Sequence, residues 1–184
     1  MRRPDIAVIC FLCLGASDAA SADWTEQFSR GVEIPSHRRL ETVRNDPATE
    51  LAEFTTDGCS GGMSSLWSFV ADQYPAFAEA HGGHPPWEEC CILHDRAYHS
   101  AGPDPDADAS YSARLSADAE LRACVASTAD ARDAVLKDEY GLTEAQVRSA
   151  YSGIAEAMFI AVRLGGGPCT GLPWRWGYGY PQCW

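Results

Sequence analysis

The residues from 90 to 98 read Cys-Cys-Ile-Leu-His-Asp-Arg-Ala-Tyr, which places a base beside a carboxylate on one short segment. If the segment is helical, His94 and Asp95 lie on neighbouring stripes and face a common cleft. The two adjacent cysteines then tie the helix to other elements. Such a helix presents a general base and a hard metal ligand side by side.

Ester hydrolysis at neutral pH needs a base for water and positive charge for the developing oxyanion. His94 suits the first task, since histidine titrates near the working pH. Asp95 is poorly placed to orient His94 and better placed as a calcium ligand, because calcium prefers carboxylate and backbone carbonyl oxygens. The segment from Gly58 to Gly62, within the glycine-rich loop 56–62, can supply such carbonyls, since glycine lets the backbone turn sharply around an ion.

The pattern C-C-x-x-H-D-x-x-Y resembles the active-site signature of secreted phospholipases A2, and the resemblance covers roughly residues 57–124. It implies a mainly α fold with disulfide-linked antiparallel helices and a glycine-rich calcium loop. The implied reaction is calcium-dependent hydrolysis of the sn-2 ester of glycerophospholipids, with Ca²⁺ as cofactor and a phospholipid at a membrane or micelle surface as substrate.

The resemblance also implies roles for single residues. Asp118, six residues before Cys124, matches the aspartate that orients the histidine. Tyr98 matches a tyrosine that hydrogen-bonds this aspartate, and Tyr111 is a candidate second one. The implied calcium ligands are Asp95 and the carbonyls of Gly58, Ser60 and Gly62. The implied disulfides are Cys59–Cys91 and Cys90–Cys124, which leaves Cys169–Cys183.

Two departures from the family pattern stand out. The loop Asp57-Gly58-Cys59-Ser60-Gly61-Gly62 has one cysteine where the family usually has two, and the gap from Cys59 to Cys91 is longer than in common animal forms. Many members also join a cysteine before the motif tyrosine to one before the second aspartate. Alanines 97 and 117 occupy both positions here, as the loss of one whole disulfide predicts.

The first 22 residues have a basic start, a short apolar core and an Ala-Ser-Ala end, which predicts a secretory signal peptide cleaved after Ala22. The remaining domain, 23–184, keeps six cysteines, and an even number in an exported chain predicts a disulfide framework with fifteen possible connectivities. We therefore expect a secreted or periplasmic protein with no integral membrane anchor in the mature chain. The oligomeric state stays open.

A formal net charge of −12 disfavours nucleic acid as a partner, because phosphate binding needs a basic surface. It also disfavours strong attraction to anionic membranes. A neutral lipid surface and a divalent cation remain compatible with this charge.

Sequence patterns predict four helices. They run from Ser64 or Ser65 to about Ala80, from Pro86 to before Gly102, from Tyr111 to about Ser127, and from Thr143 to Gly165. The last has a capping box, Thr143 with Gln146, and an amphipathic face. Residues 23–54 are polar and weakly patterned, so the sequence assigns them no element.

Three other groups could suggest sites. The alternating Asp104, Asp106 and Asp108 lack the glycine and glutamate of an EF-hand loop, which favours a solvated turn. Oxidising export makes a zinc site at residues 81, 84, 90 and 91 improbable, and His99 reads as a surface residue. The aromatics of the cysteine-bounded C-terminal segment, 165–184, fit either a cap on the helical core or, less well, an interfacial patch.

Two other functions remain open. A non-catalytic binding protein would keep the disulfide-linked helices but lose productive calcium binding, as the altered loop suggests. A calcium-dependent esterase would act on a different lipid or acyl ester.

Overall fold

The structure is a computed structural model that describes residues 16–59 and 63–184. Within these ranges it is helical, without strands. The helices are α1 (Ala16–Arg44), α2 (Met63–Gln73), α3 (Pro75–His81), α4 (Glu88–Ser100), α5 (Ala107–Ser127), α6 (Ala129–Tyr140) and α7 (Glu144–Gly165). Most of the predicted signal peptide, residues 1–15, lies outside the described residues.

Helices α4 and α5 form the pair on which the rest is assembled. Contacts join residue 90 to 124, 94 to 118 and 98 to 114, so the two helices run antiparallel. Helix α5 also packs against α1 and α7, which places it at the centre of the molecule. Helix α5 begins at Ala107, four residues earlier than predicted. Asp106 caps this start, because its side chain accepts hydrogen bonds from the backbone N–H groups of Asp108 and Ala109.

The predicted single helix after Ser64 is two helices. Tyr74 adopts an extended conformation, with φ −127° and ψ 91°, and Pro75 begins α3. Proline disfavours the helical region for the residue before it and suits a first helical turn. The prediction of one continuous helix to Ala80 was wrong for this reason.

Helix α7 follows the sequence closely. Thr143 accepts from the backbone N–H of Gln146, and the Gln146 side chain accepts from the backbone of Thr143, so the predicted capping box is confirmed. The helix ends at Gly165, as expected. Val147, Tyr151 and Ala155 on its inner face are buried.

Two helices were not predicted from the sequence, α1 and α6 (Ala129–Tyr140), and α1 is the one that packs extensively against the α4–α5 pair. Its inward stripe is Glu33, His37, Leu40 and Arg44, at helical spacing of four, three and four. Only Leu40 in this stripe is apolar, so hydrophobic periodicity does not reveal the helix. Arg44 donates to the carbonyls of Ala101 and Gly102 at 2.9 and 2.8 Å, which fixes the end of α4.

Two apolar clusters lie on either side of the central turn of α4. One surrounds Cys90 and Cys91 and contains Leu121, Val125, Val147 and Tyr151 among others. The other contains Leu40, Tyr98, Ala101, Ala117 and Trp176. His94 and Asp95 lie between the residues that α4 gives to the two clusters, on a turn that packing holds from both ends.

Three disulfides fasten this framework: Cys59–Cys91, Cys90–Cys124 and Cys169–Cys183. These are the pairs that the family resemblance implied. Disulfides of this kind are typical of proteins that fold in an oxidising compartment. Within residues 16–59 and 63–184, no helix has the length and apolar character that a membrane crossing needs.

The C-terminal segment caps the core with most of its aromatic rings. Trp176 is buried, Trp174, Tyr178 and Tyr180 are partly buried, and Trp184 is exposed. The backbone N–H of Trp176 donates to the carbonyl of Gly166 at 2.8 Å. The core-cap interpretation therefore holds for Trp176, Tyr178 and Tyr180, which belong to or pack against the cluster around Leu40 and Tyr98.

Candidate functional site

The predicted base and orienting carboxylate meet across the α4–α5 interface. His94 Nε2 lies 2.9 Å from Asp118 Oδ1. Both residues are buried, and Asp118 is fully so. The Cys90–Cys124 disulfide joins the same two helices about one turn away, so it holds the pair in register.

The partner of Nε2 sets the histidine tautomer. An ionised carboxylate only accepts hydrogen bonds, so His94 Nε2 carries the proton that faces Asp118. The other ring nitrogen, Nδ1, is then left with a lone pair and can accept a proton. This is the arrangement that a general base requires.

Asp118 has a further partner that the resemblance implied, Tyr98, and two that the sequence did not assign, Arg163 and Arg114. The Tyr98 hydroxyl donates to Oδ1 at 2.7 Å, and Arg163 Nη1 donates to Oδ2 at 2.9 Å. Arg114 Nε lies 3.9 Å from Oδ2 and donates to the Tyr98 hydroxyl at 3.1 Å. The buried carboxylate is therefore hydrogen-bonded on both oxygens, as burial of a charge demands.

Glu33 of α1 completes this buried cluster. It accepts from Arg163 Nη2 through Oε1 and from Arg114 Nη1 through Oε2. Tyr111 is also buried, but its ring packs over the Arg163 guanidinium, whose central carbon lies 5.8 Å from the ring centre. The predicted second tyrosine on Asp118 is thus replaced by an arginine that Tyr111 supports.

Asp95 faces different surroundings. Its Oδ2 accepts from the Thr56 hydroxyl at 2.6 Å, and the Thr56 oxygen in turn accepts from the backbone N–H of Gly58 at 3.1 Å. Burial raises the pKa of Asp95, and the nearby Asp57 raises it further, while Thr56 and His94 oppose the shift. Two carboxylates that repel each other are a donor set that favours a cation.

A cavity of about 260 Å³ opens beside these carboxylates and is lined by Asp57, Asp95, Thr56 and aromatic residues Trp174 and Tyr178, among others. No group of three or more His, Cys, Asp or Glu side chains suited to a metal occurs among the described residues. A cation here would therefore depend on these two carboxylates and on backbone carbonyls.

Of the predicted loop ligands, Gly58 is described, while Ser60 and Gly62 lie outside the described residues. Gly58 has φ +74°, and a Cβ on it would lie 2.7 Å from both a Glu88 oxygen and the Ser64 hydroxyl. Only glycine fits this position without strain. The loop therefore turns sharply at Gly58, next to the disulfide that ties Cys59 to α4.

A second cavity, of about 130 Å³, lies on the His94 side. His94 and Asp95 line it together with mostly apolar residues: Met63, Leu121, Met158, Ala161, Val162 and Trp174. Asp95 and Trp174 line both cavities, so a polar space and an apolar space adjoin at the same turn of α4. A ligand with a charged part and an apolar part suits such a pair.

The two alanines at which the family resemblance implies a lost disulfide also come together. Ala97 and Ala117 line one small cavity of about 110 Å³ behind His94, with Cys90 and Cys124 on its wall. The two alanines are therefore neighbours across the α4–α5 interface, where a further crosslink would lie.

The remaining candidates have structural partners. His81 contacts Tyr140 and Arg132 at 2.8 and 2.7 Å, and both motif cysteines are in disulfides. His99 is buried against the Tyr178 ring, with ring centres 5.1 Å apart, so its prediction as a surface residue was wrong. Asp108 pairs with Arg30, and Asp106 caps α5.

Sequence reasoning missed Glu33, Thr56, Asp57, Arg114 and Arg163. Arg114 and Asp118 are four residues apart on α5, a spacing that indicates an ion pair and could have drawn attention to the first. The others come from elements distant in the chain.

Comparison with protein-family models, curated proteins and solved structures finds no match to this chain.

Proposed function

We propose that the protein is a calcium-dependent phospholipase A2-like hydrolase that cleaves the sn-2 ester of glycerophospholipids. The observation that carries the proposal is the His94–Asp118 pair, 2.9 Å apart and buried between disulfide-linked helices, with Asp95 on the adjoining residue. The resemblance of residues 90–98 to the family signature supplies the reaction class.

In this proposal His94 Nδ1 takes a proton from water as the water oxygen attacks the ester carbonyl. Asp118 stabilises the imidazolium that forms and keeps the ring oriented. The same proton then passes to the leaving alkoxide, so that a fatty acid and a lysophospholipid are released. The apolar cavity on the His94 side suits the acyl chain next to the ester.

Asp95, Asp57 and the Gly58 carbonyl would hold calcium, together with loop carbonyls at 60 and 62. Bound calcium supplies positive charge for the substrate phosphate and for the oxyanion. Asp57 adds to the ligand set that the sequence implied, because it lines the same cavity as Asp95. Thr56 orients the Asp95 carboxylate toward this cavity through its hydroxyl.

The test is fatty-acid release from mixed phospholipid vesicles, with calcium and with a chelator, by wild-type protein and by His94→Gln. We expect calcium-dependent release that falls at least about 1,000-fold in His94→Gln, since loss of a general base costs this much in hydrolases. His84→Gln is the matched control, because His84 is exposed and pairs with Glu88.

Two results would contradict the proposal in different ways. No release by folded, oxidised protein on any phospholipid would favour the non-catalytic binding protein. Release from a non-phospholipid acyl ester alone, still dependent on His94 and calcium, would favour the esterase.

A further inference from the structure

Asp118 has a charged partner on the side opposite His94. Arg163, from the last turn of α7, donates to Oδ2 at 2.9 Å, while His94 and Tyr98 occupy Oδ1. The side chain of Arg163 is only 12% exposed. Its position on a third helix means that the α4–α5 pair does not fix the carboxylate alone.

Arg163 is itself held at both its backbone and its guanidinium. Arg114 Nη2 donates to the carbonyls of Val162 and Arg163 at 2.7 and 3.0 Å, so it fixes the final turn of α7. Glu33 accepts from Arg163 Nη2, the guanidinium nitrogen that does not donate to Asp118, and also pairs with Arg114. Three helices therefore meet at one buried set of ion pairs.

The charges in this set balance. Glu33 and Asp118 are the two acids, and Arg114 and Arg163 the two bases. Burial alone would raise the pKa of Glu33, but His37 and the two arginines outweigh it and hold the pKa at about 2, so Glu33 is ionised at neutral pH. With two acids and two bases, the set places no excess of positive charge beside His94 that would oppose an imidazolium there.

Geometry adds a second consequence. A carboxylate held on one oxygen can rotate about its Cβ–Cγ bond, since that torsion is soft. With Arg163 on Oδ2 and Tyr98 on Oδ1, rotation would break at least one charge-assisted hydrogen bond. The carboxylate plane is then fixed relative to the imidazole.

We propose that Arg163, braced by Glu33 of α1, is a positioning residue that fixes the orientation of Asp118 toward His94. The proposal deepens the hydrolase function above and rests on it for its kinetic consequence. It gives α1 a role in the site, although none of the described side chains of this helix lines either cavity beside Asp95.

The kinetic arm compares Arg163→Gln with Arg163→Lys and with Arg148→Gln, an exposed arginine on the same helix that pairs with Asp130 and Glu144. The substrate is a short-chain phosphatidylcholine below its critical micelle concentration, with calcium present. We expect kcat of Arg163→Gln to fall about 10- to 100-fold with KM within about twofold, as for other residues that orient a catalytic group. Arg163→Lys should recover part of the loss, and Arg148→Gln should match wild type.

The spectroscopic arm follows the low-field imidazole N–H proton of His94 by NMR, assigned by its absence in His94→Gln. We expect this signal to shift upfield or broaden in Arg163→Gln, to return in Arg163→Lys and to be unchanged in Arg148→Gln. Glu33→Gln, which keeps Arg163 but removes its brace, should change the signal in the same direction by a smaller amount.

The kinetic and NMR experiments distinguish failure of the hydrolase proposal from failure of the positioning proposal. If wild-type protein releases no fatty acid, the hydrolase proposal fails, while a His94 signal that shifts upfield or broadens in Arg163→Gln still supports the positioning of Asp118. An unchanged His94 signal and an unchanged kcat in folded Arg163→Gln would overturn the positioning role. A rise in KM at constant kcat would overturn it too, because it would assign Arg163 to substrate binding.

Discussion

His94 and Asp95 are adjacent in the sequence, yet the carboxylate that pairs with His94 and the carboxylate of Asp95 itself have very different hydrogen bonds and neighbouring charges. On the His94 side, the buried Asp118 has a hydrogen bond on each oxygen and two arginines nearby. On the Asp95 side, the buried carboxylate has one hydroxyl, Thr56, and a second carboxylate nearby. The first region surrounds its carboxylate with hydrogen-bond donors and arginines, whereas the second places two carboxylates close enough for each to act on the other.

The difference shows how one turn of helix can serve two tasks. A general base and its orienting acid work best in fixed geometry, which a closed set of ion pairs provides. A cation site must instead keep negative charge available for the ion, at a cost in stability while the ion is absent. Substitutions that neutralise each carboxylate should therefore have opposite effects on the stability of the cation-free protein.

The largest contrast should come from Asp118→Asn against Asp95→Asn. Asp118→Asn removes a buried acid from between two arginines, which should cost about 3–5 kcal/mol of unfolding free energy and about 10⁴-fold in kcat. The pKa of Asp95 is raised, so folding binds its proton more tightly, and stability falls as pH rises from the unfolded pKa through the folded one. Asp95→Asn should therefore leave stability unchanged or higher at pH 7 in chelator.

Urea unfolding with the disulfides intact, in chelator at pH 7, measures both effects. Asp104→Asn is the control, since Asp104 belongs to the exposed turn before α5. A loss of more than about 1 kcal/mol in Asp95→Asn would contradict the comparison, because it would make Asp95 a structural acid like Asp118.

A smaller effect should appear in cation affinity. Calorimetric titration with calcium chloride should show weaker binding by Asp57→Asn and by Asp95→Asn, with a dissociation constant larger by about tenfold or more. The reason is that calcium affinity depends on the number of charged ligands. The fold-change corresponds to about 1.4 kcal/mol or more. Asp118→Asn and Asp104→Asn should retain wild-type affinity.

The outcome for Asp104→Asn also decides between two acidic regions. A loss of affinity in this variant alone would move the cation to the alternating aspartates at 104, 106 and 108. Equal losses in Asp104→Asn and Asp95→Asn would indicate a general effect of surface charge rather than a site.

Local patterns and the family resemblance predicted the parts of the site that lie on regular elements. Helical spacing placed His94 and Asp95 on neighbouring stripes of one helix, and the resemblance implied that Asp118, six residues before Cys124, is the partner of His94. The Thr143 capping box marked the start of α7. Helical spacing and the capping box need only short-range information, whereas the pairing across two helices depended on the resemblance.

The parts that escaped prediction depend on contacts between distant segments. Glu33 and Arg163 are 130 residues apart in the chain and meet only in the folded protein. Helix α1 was missed because its inward stripe is mostly polar and because Pro35, which lies inside the helix, is read as a break. The Tyr74–Pro75 break was readable from the proline, but the apolar residues on both sides favoured a continuous helix.

The smallest effect should come from Tyr98→Phe, which tests whether Asp118 stays in place when one of its three hydrogen bonds is removed. The hydroxyl donates to Asp118 at 2.7 Å and accepts from Arg114 at 3.1 Å, while the ring packs edge-on against Trp176. Phenylalanine keeps the ring packing, and Asp118 keeps His94 and Arg163, so we expect a loss of about 1 kcal/mol in stability and less than about tenfold in kcat.

Burial raises the pKa of Tyr98, so the hydroxyl stays protonated and the loss should not vary across neutral pH. Unfolding curves and pH–rate profiles, with Tyr74→Phe as the control because the Tyr74 side chain is exposed, would measure this. A loss as large as that of Asp118→Asn would show that the arginines hold the carboxylate only through Tyr98.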